Sequence, residues 1–476
     1  MVRNINPMSN VRHIVTRLLN SSVAWYWGFN GLRLASGIVL LPLLLRLLPE
    51  NDLGMYYVFL SITAMGPVVD FGFSQAIGRF VSYAMGGATE LKAFGVATGE
   101  PRNNAGPNYR LIWELLHTTR TLYRYLCLAA LVLLGVWGSY LVGLKVHESA
   151  SPAVTWWAWA ITLLGLTFEI YAGWWNSFLL CMNRVTTSAR IGVLAYGVRL
   201  LISCVLLVMG CGLLSVPIAS FAGSLLNRGL CRRRCLRLLG PPPAAQALSA
   251  RSLLGILWPN SWRLGVHLLG GYLRSGANTA ICVAAFGLAA TAEYGLSIQV
   301  MQIATAMAAV WTFVKWPLVG QLRARQDFEA LRRVLWRPYW LQTLTFLALG
   351  LVTILWGPTF LRLIGSNKML LTTNWMVMIG VAAFLEMQFT FWATVITTEN
   401  RLPYLWPTLA TNVCSLLLSL VLVYVAGLGV GGLILGPLLT GIVFNYWFWP
   451  LEGAKGIKTG LLQFLFAPGR GPVHTQ

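Results

Sequence analysis

Pro49-Glu50-Asn51-Asp52-Leu53-Gly54 is a short polar turn between two apolar runs, residues 22–47 and 54–76. A helix needs about 20 apolar residues to cross the hydrocarbon core of a bilayer, and both runs reach that length. The stretch therefore reads as a membrane hairpin. Its first helix carries Asn30 and Arg33 in otherwise apolar and aromatic surroundings. Its second carries Asp70 and ends at Arg79. Ten more apolar runs follow, near 121–144, 154–182, 191–209, 213–229, 254–285, 292–314, 338–357, 373–398, 403–426 and 431–450. The fold class expected is an all-α polytopic membrane protein with about twelve transmembrane helices. A transmembrane barrel would show short alternating segments instead.

Composition agrees. Of 476 residues, 57% are hydrophobic and only 10% charged, with mean hydropathy +0.67. The net charge of +21 raises nucleic acid as a partner, but the basic residues gather in the segments between spans. Those segments lack the aromatic-plus-basic repeat of single-strand binders, so no nucleic-acid partner is expected. Counted from an inside start, the cytoplasmic segments hold 27 Lys and Arg and the outer turns four. By the positive-inside rule both termini of a multi-pass membrane protein are expected in the cytoplasm. Residues 1–20 are polar and basic, and the apolar stretch behind them is too long for a cleaved signal, so an uncleaved anchor is expected.

Most of the eight cysteines lie within apolar runs and read as small buried hydrophobes. Cys231 and Cys235 flank three arginines in a segment read as a cytoplasmic loop, with the wrong spacing for zinc. Trp356, Trp447 and Trp449 read as interfacial anchors. Trp25, Trp27, Trp174, Trp175 and Trp392 lie elsewhere and could instead stack on sugar rings. His117 reads as an isolated loop residue.

The chain also repeats itself. An offset of 241 residues pairs Tyr26 with His267, Arg33 with Arg274, Asp52 with Glu293 and Gly54 with Gly295. An offset of 217 pairs Glu169 with Glu386, Trp175 with Trp392, and Asn183-Arg184 with Asn400-Arg401. Six spans per copy keep the two copies parallel rather than inverted. The expected organisation is an N-terminal lobe 1–229, a basic, proline-rich linker 230–253 and a C-terminal lobe 254–476.

Charges at mid-membrane cost about 2.5–3.5 kcal/mol each on insertion, so they face a partner or a cavity. Arg263, His267, Arg274 and Asn278 fall on one stripe of the seventh span. Asn30 and Arg33 lie on the corresponding stripe of the first, and Arg199 lies in the fifth. A cavity lined by guanidinium groups suits a phosphorylated anion. Arg33, Arg274, Arg263, Arg199, Asn30 and Asn278 are therefore the candidate substrate-binding residues. Asp70, Glu169 and Glu386 are candidates for coupling transport to a proton or cation. The alternative is that acids and arginines pair and only hold helices together. No enzyme site, metal site or cofactor is legible: there is no HExxH, no phosphate-cradling glycine loop and no large outer loop.

The stretch Leu41-Pro42-Leu43-Leu44-Leu45-Arg46-Leu47-Leu48-Pro49-Glu50-Asn51-Asp52-Leu53-Gly54-Met55-Tyr56 resembles the first hairpin of polysaccharide transporters of the MOP superfamily, Wzx-type O-antigen flippases in particular. Asp70-Phe71-Gly72-Phe73 before Arg79, and the Asn-Arg pairs after spans four and ten, fit the same pattern. The resemblance implies two six-helix lobes around a central cavity. It implies an undecaprenyl-pyrophosphate-linked oligosaccharide as substrate, moved to the outer leaflet by alternating access, with polysaccharide polymerase machinery and the lipid bilayer as partners. Arg33 and Arg274 would then receive the pyrophosphate. The rival expectations are a cation-coupled multidrug exporter of the same superfamily and, from another class, a membrane-embedded glycan polymerase or acyltransferase, for which only His267 could serve.

Overall fold

The computed structural model describes residues 22–85, 87, 107–182, 184–241, 250–313, 315–316, 319, 322–323, 327–363, 365–398 and 403–466. Every regular element among them is helical. In chain order they are α1 (Ser22–Leu47), α2 (Glu50–Thr63), α3 (Gly66–Asp70), α4 (Phe73–Met85), α5 (Tyr109–Lys145), α6 (Pro152–Ala172), α7 (Trp174–Cys181), α8 (Val185–Val208) and α9 (Ser215–Leu239). There follow α10 (Ala250–Phe313), α11 (Phe328–Leu363), α12 (Thr373–Thr397), α13 (Leu405–Tyr424), α14 (Gly431–Val443), α15 (Asn445–Gly456) and α16 (Leu461–Phe466). Nine helical stretches among the described residues are long and apolar enough to cross a membrane. One of these runs over Ser261–Phe313 and turns at Gly287 (φ 82°), so it covers both the seventh and the eighth expected spans. Helices α1 and α9 stand where the first and sixth are expected. The fold class is all-α and polytopic.

Two expectations need correction. Part of the segment between the second and third apolar runs is helix, because α5 begins at Tyr109, and His117, expected in a loop, lies on it. Both ends of the linker 230–253 are also helix, because α9 continues to Leu239 and α10 begins at Ala250. Arg232, Arg233, Arg234 and Arg237 therefore sit on one helix. Cys231 and Cys235 are buried there, with the Cys235 thiol 3.6 Å from the Trp175 carbonyl. Residues 1–20, 88–106, 242–249 and 467–476 lie outside the described residues, as do Asn183 and the pair Asn400-Arg401.

The chain forms two compact units. Unit 1 comprises Met1–Leu47, Ile62–Val142 and Ser151–Gly265. In it α8 packs on α1 and α9, α9 also packs on α6 and α7, and α4 packs on α7. The core is built from Ile77, Phe80, Ile112, Tyr123, Trp174 and Phe178, with Cys231 and Cys235 filling the gap beside them. The opposite face of α5 is inverted relative to a soluble helix. Leu128, Val132 and Val136 recur at helical spacing and are exposed, the last by 71%. Hydrocarbon around the helix, not water, makes such a stripe stable.

Unit 2 comprises Leu48–Ser61, Gly143–Ala150 and Val266–Gln476. It thus includes the turn of the first hairpin. Helix α2 lies so close to the second limb of α10 that a Cβ on Gly54 would sit 2.1 Å from the Leu288 carbonyl oxygen. One on Gly295 would sit 2.3 Å from the Tyr57 ring. Polar bonds fix the same contact: Tyr57 donates to Gln299 (2.7 Å), and Ser61 donates to the Gly276 carbonyl (2.9 Å). The Leu288 N–H donates to the Glu148 carboxylate (3.0 Å), and the Asn51 amide donates to the Glu148 carbonyl (2.6 Å). Further along, α14 packs on α13 and α15 on α12. Buried Arg332 donates to the Ile457 and Lys458 carbonyls at the end of α15. Arg323 reaches the Gly456 carbonyl and the Thr398 hydroxyl, so two helix C-termini are closed by guanidinium groups.

Candidate functional site

In unit 1 the functional candidates gather around a break in the second span. Helix α3 ends at Asp70, and the chain then passes through Phe71 (φ 52°) and Gly72 (φ 74°) before α4 begins. A bulky residue at positive φ is strained and needs tertiary support. Here the Phe71 ring stacks on Trp258, with centroids 5.8 Å apart, and lies against Gly265. The break presents the Asp70 carboxylate to hydroxyl donors. Tyr123 of α5 donates to one oxygen (2.5 Å), and Ser74 donates to the other from its hydroxyl (2.7 Å) and its backbone N–H (3.3 Å). Asp70 makes no ion pair among the described residues. The Tyr123 ring in turn leans on Trp174, which stacks on Trp175 at 4.1 Å.

Glu169 of α6 does not meet Arg199. It pairs with Arg228 of α9 (2.9 Å) and accepts from Ser224 (3.0 Å). Arg199 lies on α8 with its guanidinium over the Tyr196 ring at 5.5 Å, and Arg263 is exposed over Trp262 at 5.7 Å. Neither arginine makes an ion pair among the described residues. Asn30 and Arg33 lie on α1, and their side chains fall outside the described set, as does that of Arg79.

In unit 2, Arg274 of α10 and Glu386 of α12 form an ion pair of 2.5 Å. The third member is Tyr446, which lines the same cavity as both. It is placed there by the break at Phe444, where α14 ends and α15 starts. The group closes a cavity of about 20 Å³ with Thr408, Asn412, Thr440 and Asn445 on its wall. That is room for a single water, which the polar wall could bond. The rest of the stripe spreads out. His267 is exposed and edge-on to Tyr404 at 6.0 Å, and Asn278 is buried, its amide donating to the Leu433 carbonyl (3.0 Å).

Tryptophans mostly pack. Trp174, Trp175, Trp392 and Trp449 are all buried, which corrects the anchor reading for Trp449; its indole donates to Asn445. Trp356 and Trp447 are exposed, as anchors are.

The architecture has precedents. It matches the inward-facing conformation of a multidrug resistance MATE family transporter of the MOP superfamily, with TM-score 0.61, 14% identity, and 91% of this chain covering 96% of that one. The chain shares the fold of that structure. A complex of the MATE multidrug transporter DinF-BH is similar in fold over the same coverage, at TM-score 0.60 and 14% identity. A mutant of the Vibrio cholerae MATE transporter VcmN is likewise similar at 0.59 and 16%, over 93% of this chain and 97% of that one. No family model and no curated protein sequence matches the chain.

Tyr123, Ser74, Arg228 and Tyr446 complete these charged groups and were missed from sequence. Tyrosines and serines in apolar runs carry no positional signal. Only the tertiary contacts single them out.

Proposed function

We propose that the chain is a cation-coupled exporter of organic solutes that works by alternating access. The observation that carries this reading is Asp70, a carboxylate at a helix break held by hydroxyl donors and by no cation among the described residues. A group so placed can take up and release a proton or metal cation without breaking a salt bridge. The arginine-based case for an anionic substrate also loses its clearest residue, because Glu386 offsets the charge of Arg274. The likeness in fold to MATE multidrug transporters supports the same side.

The test is efflux of ethidium, a lipophilic organic cation, from proteoliposomes holding the full chain under an imposed proton or sodium gradient. Gradient-driven efflux is expected from the wild type and its loss from Asp70→Asn, which keeps an acceptor for Tyr123 but cannot ionise. Efflux unchanged in that variant would remove Asp70 from coupling, and no efflux under any gradient would sink the exporter.

Movement of a polyprenyl-pyrophosphate-linked oligosaccharide is the second reading. Arg199 and Arg263, cations with no ion pair among the described residues, favour it. Accumulation of a complete lipid-linked repeat on the inner leaflet of cells lacking the gene would select it over the exporter.

A further inference from the structure

Unit 1 contains a second, larger cavity, of about 160 Å³, that the transport reading does not use. Its wall combines Trp113, Leu116, His117 and Arg120 of α5, Tyr171 of α6, Trp174 and Trp175 of α7, and Arg232 and Leu236 of α9. Two guanidinium groups and an imidazole stand at it, and no acidic side chain does among the described residues. None of the three makes an ion pair among the described residues, and all three are exposed, free to swing onto a ligand. The remaining wall is aromatic apart from Leu116 and Leu236. One donor there is already spent, since the Trp174 indole bonds the Tyr171 carbonyl (2.9 Å). Another is open: the Trp113 indole Nε1 is buried with no acceptor among the described residues. A buried donor left unmade costs about 1–3 kcal/mol, and a ligand oxygen would recover that. The lining residues of α5 and α9 lie just beyond the apolar runs 121–144 and 213–229, at the depth where lipid headgroups begin.

We propose that this cavity binds a phosphoryl oxyanion. Arg120 and Arg232 hold its charge, and the Trp174-Trp175 stack supports the uncharged remainder of the molecule. Arginine suits this chemistry because its planar fork gives two parallel donors to phosphate oxygens. Two sources present such a group at this depth: the headgroup of an acidic phospholipid and a free phosphate compound.

Binding to the purified full-length protein in a zwitterionic detergent tests the proposal. The probes are short-chain phosphatidylglycerol, short-chain phosphatidylcholine and inorganic pyrophosphate. The wild type should bind phosphatidylglycerol more tightly than phosphatidylcholine. The double variant Arg120→Gln/Arg232→Gln should weaken that binding about tenfold or more, the loss of charge-assisted hydrogen bonds. Arg233→Gln/Arg234→Gln, two exposed arginines of the same helix outside the cavity, should leave it unchanged and so exclude a general charge effect. Displacement of phosphatidylglycerol by pyrophosphate would name the soluble source, and resistance to displacement the lipid; both support the site. Equal binding of the acidic probes to wild type and Arg120→Gln/Arg232→Gln, or no acidic probe binding to the wild type, would overturn it.

Discussion

At the scale of single residues, partners decide what each charge does. Arg274 and Glu386 repeat Arg33 and Glu169 by sequence offset, yet the two glutamates do not behave alike. Glu386 takes Arg274, while Glu169 takes Arg228, a residue with no place in either repeat match. Breaking a partly buried pair from one side leaves a charge without compensation. Glu386→Gln should therefore lower the melting temperature in detergent more than Arg274→Gln/Glu386→Gln does. Equal effects would mean the pair is not coupled. Arg332 offers a second test. It is 5% exposed and bonds two carbonyls at the end of α15, so Arg332→Ala leaves both without a donor. A loss of about 2–3 kcal/mol, read as reduced thermal stability, is expected.

At the scale of elements, two glycines set how closely α2 approaches the second limb of α10. A methyl group on Gly54 would meet backbone, which cannot rotate away as a side chain can. Gly54→Ala should cut the yield of folded protein sharply. Gly271 has nothing within 4 Å of its missing Cβ. Gly271→Ala should fold normally and gain up to about 1 kcal/mol of helix propensity. The two variants side by side, compared by size-exclusion profile after extraction, separate close packing from a general intolerance of alanine. The repeat had marked Gly54 and Gly295 as equivalent but gave no reason for a glycine. The reason is the contact with Leu288 and Tyr57.

At the scale of the whole molecule, the distribution of charge predicts topology. Alkaline phosphatase, active only outside the cytoplasm, should be active when fused after Glu148 or Asn367 and inactive when fused after Lys455. The reverse pattern would invert the chain and place the basic cavity of unit 1 at the opposite leaflet. Division into two units follows the sequence repeat only in part. Residues 48–61 and 143–150 precede the middle of the chain but pack with residues 266–476. Their bonds to Leu288, Gln299 and Gly276 are long-range, and no local pattern announces them.

What the sequence determined alone is whatever depends on transfer between water and hydrocarbon. Run length, apolarity and the bias of Lys and Arg set the helical, polytopic class, because an unpaired backbone in lipid is too costly for any open alternative. The same logic made Asp70, Glu386 and Arg274 legible as residues needing a partner. Which partner each found was decided by tertiary structure. Helix breaks at Phe71 and Phe444 turned Asp70 toward Tyr123 and placed Tyr446 beside Arg274, and residues distant in sequence pack against both. The opening hairpin shows the division clearly. Its two helices could be read from hydropathy, whereas the packing of its turn with Glu148 and Leu288 depends on contacts almost 100 residues or more away in sequence.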